Sequence, residues 1–366
     1  MEELLSILRC PYSGTPLRLE GDELEGGSGR YKVVDGVPSL VDEERVAPID
    51  HFFQQQYGED TAEKYDRLLR LQGLLVGSWE PAERRRLAAL LDAPRGGRIL
   101  EVSVGTGSNL PYLDQRVGPG ATIVGLDLSL PMIRVAQRRT SSLTSAVYFV
   151  RGDACSLPFA DDAFDAVFHF GGLNMFGDVA GALREMVRVA KPGASIVAGG
   201  EGMSEGRRRT WLGRQVAKMN SLNLCRPPLA EVPWQLIEGF ELHWLWRELF
   251  YVMRFRKAAA PDAAAGPGVS ATAGASAAAG ASAAPGASAA AGASAAPGAS
   301  AAAGASAAPG ACGAPGVSAA PGVPAAPGDG AAPGVSAAPG AAAAQGREDE
   351  GSQDSVRREI ARRVRR

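Results

Sequence analysis

Between Ile99 and Asn109 the chain reads Ile-Leu-Glu-Val-Ser-Val-Gly-Thr-Gly-Ser-Asn, an apolar strand that runs into a turn of small residues and then into a helix. Such a turn lets backbone N–H groups at the helix start approach a ligand closely. A dinucleotide fingerprint wants a third glycine three positions after Gly107, and position 110 is Leu, so a nicotinamide cofactor fits poorly. Acidic residues stand at the ends of the next two apolar runs: Asp127 closes Ile123-Val124-Gly125-Leu126, and Asp153 follows Val150-Arg151-Gly152. In an open α/β sheet, ligands bind at the carboxyl ends of the strands, which places Asp127 to accept hydrogen bonds from ribose hydroxyls.

These residues need a sheet to hold them. From Arg98, apolar runs of four to six residues alternate with helical segments, the pattern of βαβ units on a parallel sheet. Strands are expected at Arg98–Val102, Thr122–Leu126, Val147–Val150, Ala166–Phe170 and Ser195–Gly199. Helices fit at Leu130–Arg139 and Ala180–Ala190, the second stopped by Lys191-Pro192-Gly193. After a helical stretch at Trp211–Leu224, two alternating runs, Phe240–Phe250 and Tyr251–Arg256, predict a final antiparallel pair. Ahead of the sheet, the stretch from His51 spaces Tyr65, Leu68, Leu69 and Gln72 at helical intervals, and Pro81-Ala82-Glu83 opens a helix carrying Leu87, Leu90 and Leu91. Both helices are expected to cover the sheet. Residues 1–44 read instead as short strands punctuated by turns at Ser13-Gly14-Thr15-Pro16, Gly26–Gly29 and Asp35-Gly36, a small β-rich unit.

Composition divides the chain further. Of the 89 residues from Ala258 to Gly346, 43 are Ala, 17 Gly, 11 Pro and 9 Ser, which leaves nothing to build a core from, and glycine is not at every third position, which excludes collagen. This segment, 258–346, is expected to be a disordered extension, with the folded domain ending near Lys257. The charged end, 347–366, holds seven arginines and sets Val356, Ile360 and Val364 on one helical stripe. Three aliphatic residues bury little area, so a solvated or disordered end is expected rather than one that touches an anionic surface. Residues 1–257 carry 31 basic and 33 acidic side chains, which argues against a nucleic-acid coat. Cys10, Cys155, Cys225 and Cys312 form no Cys-x-x-Cys pair, as suits a reducing compartment. The N-terminus lacks the basic start and long apolar centre of a signal peptide, and no segment approaches the roughly 20 apolar residues that span a bilayer. A cytoplasmic protein is expected.

The runs Leu100–Gly107, Gly125-Leu126-Asp127-Leu128-Ser129, and Gly152-Asp153-Ala154 with Leu157-Pro158-Phe159 resemble successive motifs of class I S-adenosylmethionine (SAM)-dependent methyltransferases. Phe164-Asp165-Ala166-Val167 and Ala182–Gly193 resemble later motifs of the ubiquinone/menaquinone C-methyltransferase-like branch. The resemblance runs from about Tyr57 to Lys257, inside a domain drawn at 51–257. It implies a Rossmann-like α/β fold whose parallel sheet ends in an antiparallel strand, with SAM as cofactor. It also implies that Glu101 and the turn of Ser103, Gly105, Thr106 and Gly107 hold the methionine part, with Asn109 beside it. Asp127 would hold the ribose, with Leu128 among the cofactor-binding residues, and Asp153 with Ala154 the adenine. Ser103 stands where the family usually has its first glycine, which bears on how closely the backbone approaches the cofactor.

A second resemblance lies in the β-rich unit. Leu8–Leu17 and Tyr31–Leu40 look like the zinc-ribbon-like activator subunits of tRNA methyltransferases. Tetrahedral zinc wants two Cys-x-x-Cys knuckles, but Ser13 occupies the second position after Cys10 and no later pair exists, so no metal is expected.

Methyl transfer from a sulfonium needs alignment and exclusion of water, and an acidic acceptor also needs a base. Candidates at the sheet edge are His169, Glu201, Tyr57 and Tyr65, of which His169 is the catalytic choice, its other reading being a strand-end histidine that only packs near the cofactor. It precedes Phe170-Gly171-Gly172-Leu173-Asn174, the loop that the resemblance places beside the transferred methyl. Trp211, Trp234, Trp244, Trp246, Phe240, Phe250 and Tyr251 crowd the part of the chain where class I enzymes build their acceptor pocket, although alternation reads each alone as sheet core, and Arg207-Arg208-Arg209 reads as a solvated charge run. The expected function is methylation of a small hydrophobic, aromatic or quinone-like acceptor. An RNA methyltransferase and a non-catalytic SAM-binding protein are the alternatives.

Overall fold

The computed structural model describes residues 2–27, 29–56, 77–259 and 355–363. The chain begins with helix α1 (Glu2–Ile7), then β1 (Arg18–Glu20), β2 (Glu23–Gly26), β3 (Gly29–Val34) and β4 (Val37–Pro38), which pair antiparallel in that order, and α2 (Pro48–Gln56). There follow α3 (Glu80–Ala89), β5 (Arg98–Val102), α4 (Leu110–Val117), β6 (Thr122–Asp127), α5 (Leu130–Gln137), β7 (Ala146–Arg151), β8 (Phe164–Phe170), α6 (Val179–Val189) and β9 (Ala190–Glu201). Helices α7 (Glu205–Arg209) and α8 (Trp211–Met219) lead to β10 (Ile237–Leu245) and β11 (Phe250–Lys257), and a last helix, α9, occupies residues 355–363.

Seven strands form one sheet in the order β7-β6-β5-β8-β9-β11-β10. β5 to β9 are parallel, and β11 enters antiparallel between β9 and β10. This is the Rossmann-like class I arrangement expected from the sequence. Alternation along each strand fills two cores. On one face Leu100, Val102, Val124 and Val167 pack with α1 and α6; on the other Ile99, Ile123, Ala166 and Phe168 pack with α3, α4 and α5. Strand order turns outward in both directions from β5, to β6 on one side and to β8 on the other, and such a switch opens a crevice at the carboxyl ends.

The β-rich unit is fastened to the β7 edge of this sheet. Leu40 N–H donates to the Arg151 carbonyl at 2.8 Å, and the Arg151 guanidinium reaches Ser39 and Glu43. Arg9 and Ile7 exchange backbone bonds with Pro158 and Ala160. An edge that would otherwise present unpaired N–H and C=O groups is thereby covered.

Four features depart from the expectations. The run Phe240–Phe250 is not one strand: β10 and β11 are joined by a tight turn with Trp246, Arg247 and Glu248 at φ of 48–68°, and the apolar alternation that runs through the turn hid it. Lys191-Pro192-Gly193 does more than stop α6, because β9 already begins at Ala190 and the register shifts there against β8. α1, with Leu4 and Ile7 buried, falls in a segment too short to show a helical period. The arginine-rich end is not a solvated tail where it is described: Val356 and Ile360 of α9 are buried against Ile49, Met175 and Cys225, and Arg363 donates to the carbonyls of Asn174, Phe176 and Gly177. Tyr57, Tyr65, Val364 and all of 260–354 lie outside the described residues.

Candidate functional site

The carboxyl ends of β5, β6, β8 and β9 open into a cavity of about 500 Å³. Its floor is the small-residue turn after β5. Ser103 adopts φ 55°, in the left-handed region where a side chain costs roughly 1 kcal/mol, which explains why a glycine suits this position. Gly107 has φ 74°, and a Cβ there would lie 2.8 Å from Leu110 Cδ1 and 3.1 Å from Ala136 Cβ, so the turn must be bare for α4 and α5 to close on it. Ser103, Gly105, Thr106, Asn109, Asp127 and Leu128 all line the cavity.

Asp127 sits where β6 meets this turn. Its Oδ2 accepts from Gly105 N–H at 2.8 Å and its Oδ1 from Ser129 N–H at 2.9 Å, and burial raises its carboxyl above the usual range. Each oxygen keeps a lone pair, so a carboxylate locked by two backbone donors still offers acceptors to a vicinal diol. Glu101, fully buried in β5, stands behind the wall. Asn109 Nδ2 donates to its Oε1 at 2.8 Å, Arg84 donates to the Asn109 carbonyl oxygen, and Glu80 pairs with Arg84 at 2.6 Å. Glu101 Oε2 is buried without a partner among the described residues. Burial, opposed by the Asn109 bond and the Arg84 charge, pushes this carboxyl up to about 8. An orphaned acidic oxygen beside a cavity is a fit for a cationic group.

Of the expected site residues, Glu101, Gly107, Asp153, Ala154 and His169 are not among those that line the cavity. Asp153 and Ala154 are not on the wall; Asp153 Oδ1 accepts from Cys155 N–H at 2.8 Å, closing its own turn, and Ala154 packs into the core. His169 does not face the cavity either. It shares the sheet face of Val167, is wholly buried against the Phe176 ring at 4.9 Å, and its Nδ1–H donates to the Val102 carbonyl at 2.9 Å. That bond leaves Nε2 as a lone pair with no partner among the described residues, and burial lowers the imidazole to about 4, so the ring is neutral. Enclosure leaves it without a face on the cavity in this structure.

Besides Asp127 and Glu80, the carboxyl groups that line the cavity are Glu201 and Asp50. Glu201 Oε2 accepts from Gly172 N–H at 2.9 Å and so shapes the loop after β8. Asp50, on α2, accepts from Gly177 N–H at 3.1 and 3.0 Å, and burial with the nearby Asp153 carboxylate raises it to about 7, against the pull of Gly177, Arg363 and His51. Sequence reasoning missed Asp50, because nothing but a helical period marks the segment around it.

Another part of the wall is aromatic. Phe170 stacks on Trp246 with centroids 4.9 Å apart and planes at 19°, and Phe250 touches both rings at 5.2 Å. Of the aromatic residues that crowd the last third of the folded region, Trp246 and Phe250 line the cavity, Tyr251 is sheet core, Phe240 and Trp244 pack on the other sheet face, and Trp211 and Trp234 are exposed. The turn at Trp246–Leu249 delivers the indole, and the Trp246 backbone N–H donates to Glu83 Oε2 at 3.1 Å. Among the described residues, no group of three His, Cys, Asp or Glu side chains could hold a metal, and no helix is long and apolar enough to cross a membrane.

Residues 100–198 match the family model described as a methyltransferase domain. The chain is 39% identical over 141 residues to a demethylmenaquinone methyltransferase of Renibacterium salmoninarum, a match covering 38% of this chain and 54% of that protein. It is 40% identical over 139 residues to the protein of the same name from Thermus thermophilus, covering 38% and 61%. The corresponding protein of Staphylococcus epidermidis is 34% identical over 139 residues, covering 38% and 56%. The chain thus spans a little over half the length of the curated relatives it matches.

Proposed function

We propose that the protein is a SAM-dependent methyltransferase acting on a small hydrophobic acceptor of aromatic or quinone type. One observation carries the reading: a single cavity joins the glycine turn and Asp127, suited to a nucleoside and its cationic tail, to the stacked Phe170, Trp246 and Phe250 rings, suited to a flat apolar compound. The names of the relatives support this choice of acceptor, and the matched methyltransferase segment contains the turn, Asp127 and Phe170.

In this reading Asp127 holds the ribose diol, the Ser103–Gly107 turn lies along the methionine part, and Glu101 with Asn109 receives the positive charge of its amino group. SAM, when bound, supplies an activated methyl. The chain's own work is to align the acceptor against the aromatic wall, exclude water, and accept the acceptor's proton. Asp50 is the side chain we assign to that proton, because it faces the cavity and is held half-ionised near neutrality. The N-terminal unit is proposed as a zinc-free relative of the ribbon-like activators, supported by its four-stranded sheet and by Cys10, whose Sγ lies 3.2 Å from the Tyr31 hydroxyl rather than beside a second thiol. The cytoplasm is the proposed location.

Calorimetric titration with SAM tests the site. Asp127→Ala is expected to weaken binding by about 1.5–3 kcal/mol, the worth of hydrogen bonds to a charged group. Equal affinity of variant and parent overturns the assignment.

A further inference from the structure

The basic run Arg207-Arg208-Arg209 is not used by the proposed reaction, and its place in the fold gives it a different partner. Residues 205–219 carry five cations, Arg207, Arg208, Arg209, Arg214 and Lys218, against Glu205 alone. On α8, Gly213 and Val216 are buried, while Trp211 is 68% exposed, Met219 62% and Leu212 37%. Leu212 and Met219 also line the cavity, and a residue that is both on the wall and in solvent marks the rim. α8 is therefore the lip of the cavity, presenting apolar side chains outward with Arg209, Arg214 and Lys218 exposed beside them.

We propose that α7 and α8 seat the protein on an anionic lipid surface, with the cavity mouth turned toward the bilayer. An exposed tryptophan, methionine and leucine among arginines and lysine match the interfacial helix, whose apolar side chains enter the headgroup boundary while cations meet anionic lipid. A phosphate backbone would use the cations but would leave Leu212 and Met219 in water, which favours lipid over nucleic acid. Arg208 contributes least, since its guanidinium is committed to the carbonyls of Met203 and Cys225. The arrangement deepens the proposed function and rests on it in one respect: an apolar acceptor dissolved in the bilayer would pass from lipid over the α8 lip into the aromatic wall without crossing water.

The test is sedimentation of the full-length protein with vesicles, with neither SAM nor acceptor present, so that its outcome is independent of the methyl-transfer reading. Vesicles of phosphatidylcholine containing phosphatidylglycerol are expected to carry the protein down, and pure phosphatidylcholine vesicles to leave it in solution. Trp211→Ala, and separately Arg209→Glu with Lys218→Glu, are each expected to weaken the partition by about tenfold. Both variants keep the parent's SAM affinity and melting temperature, because neither touches the cofactor wall. Indifference to phosphatidylglycerol, parent-like partition of the charge-reversed variant, or binding to transfer RNA in place of vesicles overturns the proposal.

Discussion

The amide of Asn109 donates to Glu101 Oε1 at 2.8 Å while Glu101 Oε2, equally buried, is left without a partner among the described residues. The carboxyl is raised to about 8, so in the free protein it is mostly protonated at pH 7. Bringing a cation against Oε2 favours the ionised form. SAM binding at pH 7 is therefore expected to release a proton, read as a dependence of the calorimetric enthalpy on the ionisation enthalpy of the buffer. Glu101→Gln abolishes that dependence. A carboxyl raised on folding lends stability below its ordinary value of about 4.5 and loses it as pH rises through about 8, so the free parent loses melting temperature over this range more steeply than Glu101→Gln. An enthalpy independent of buffer contradicts this role.

Asp50 and Gly177 couple the covering helix to the loop after β8. If Asp50 takes the acceptor's proton, turnover rises with pH through about 7 and levels above it, and Asp50→Asn lowers turnover by roughly 10²–10⁴ while leaving SAM affinity unchanged. Arg363 holds this carboxyl down, so Arg363→Ala moves the ascending limb to higher pH. His169→Ala, by contrast, is expected to act through packing and to leave the limb in place.

The docked α9 alters what removal of the C-terminal end should do. Ile360→Asp places a charge among Ile49, Met175 and Cys225 and is expected to release the helix, since an unpaired buried charge cannot be sustained. Arg363 then leaves the carbonyls of Asn174, Phe176 and Gly177, and amide exchange in this loop accelerates by about tenfold or more. Unchanged exchange would show that the loop holds itself.

The sheet was legible because each strand is a run of apolar residues between turn signals, and Arg98–Val102 is met residue for residue. The glycine turn and Asp127 were legible because their chemistry is local: a bare turn and an acid at the next strand end need only their own neighbours. Asp50, the Trp246 turn and α9 were not. Asp50 acquires its character from Gly177 and Asp153, more than a hundred residues away, and α9 reads as three aliphatic residues until Ile49 and Met175 are set beneath it. Sequence did not decide between the two readings of His169 for a related reason, since a strand-end histidine looks the same whichever sheet face it shares.

The central claim is tested most directly by following labelled methyl from SAM into reduced demethylmenaquinone with the full-length protein. Label is expected in the extracted quinone, in proportion to protein and lost with Asp127→Ala. Label appearing in RNA alone, or no labelled small aromatic product from protein that binds SAM, would contradict it.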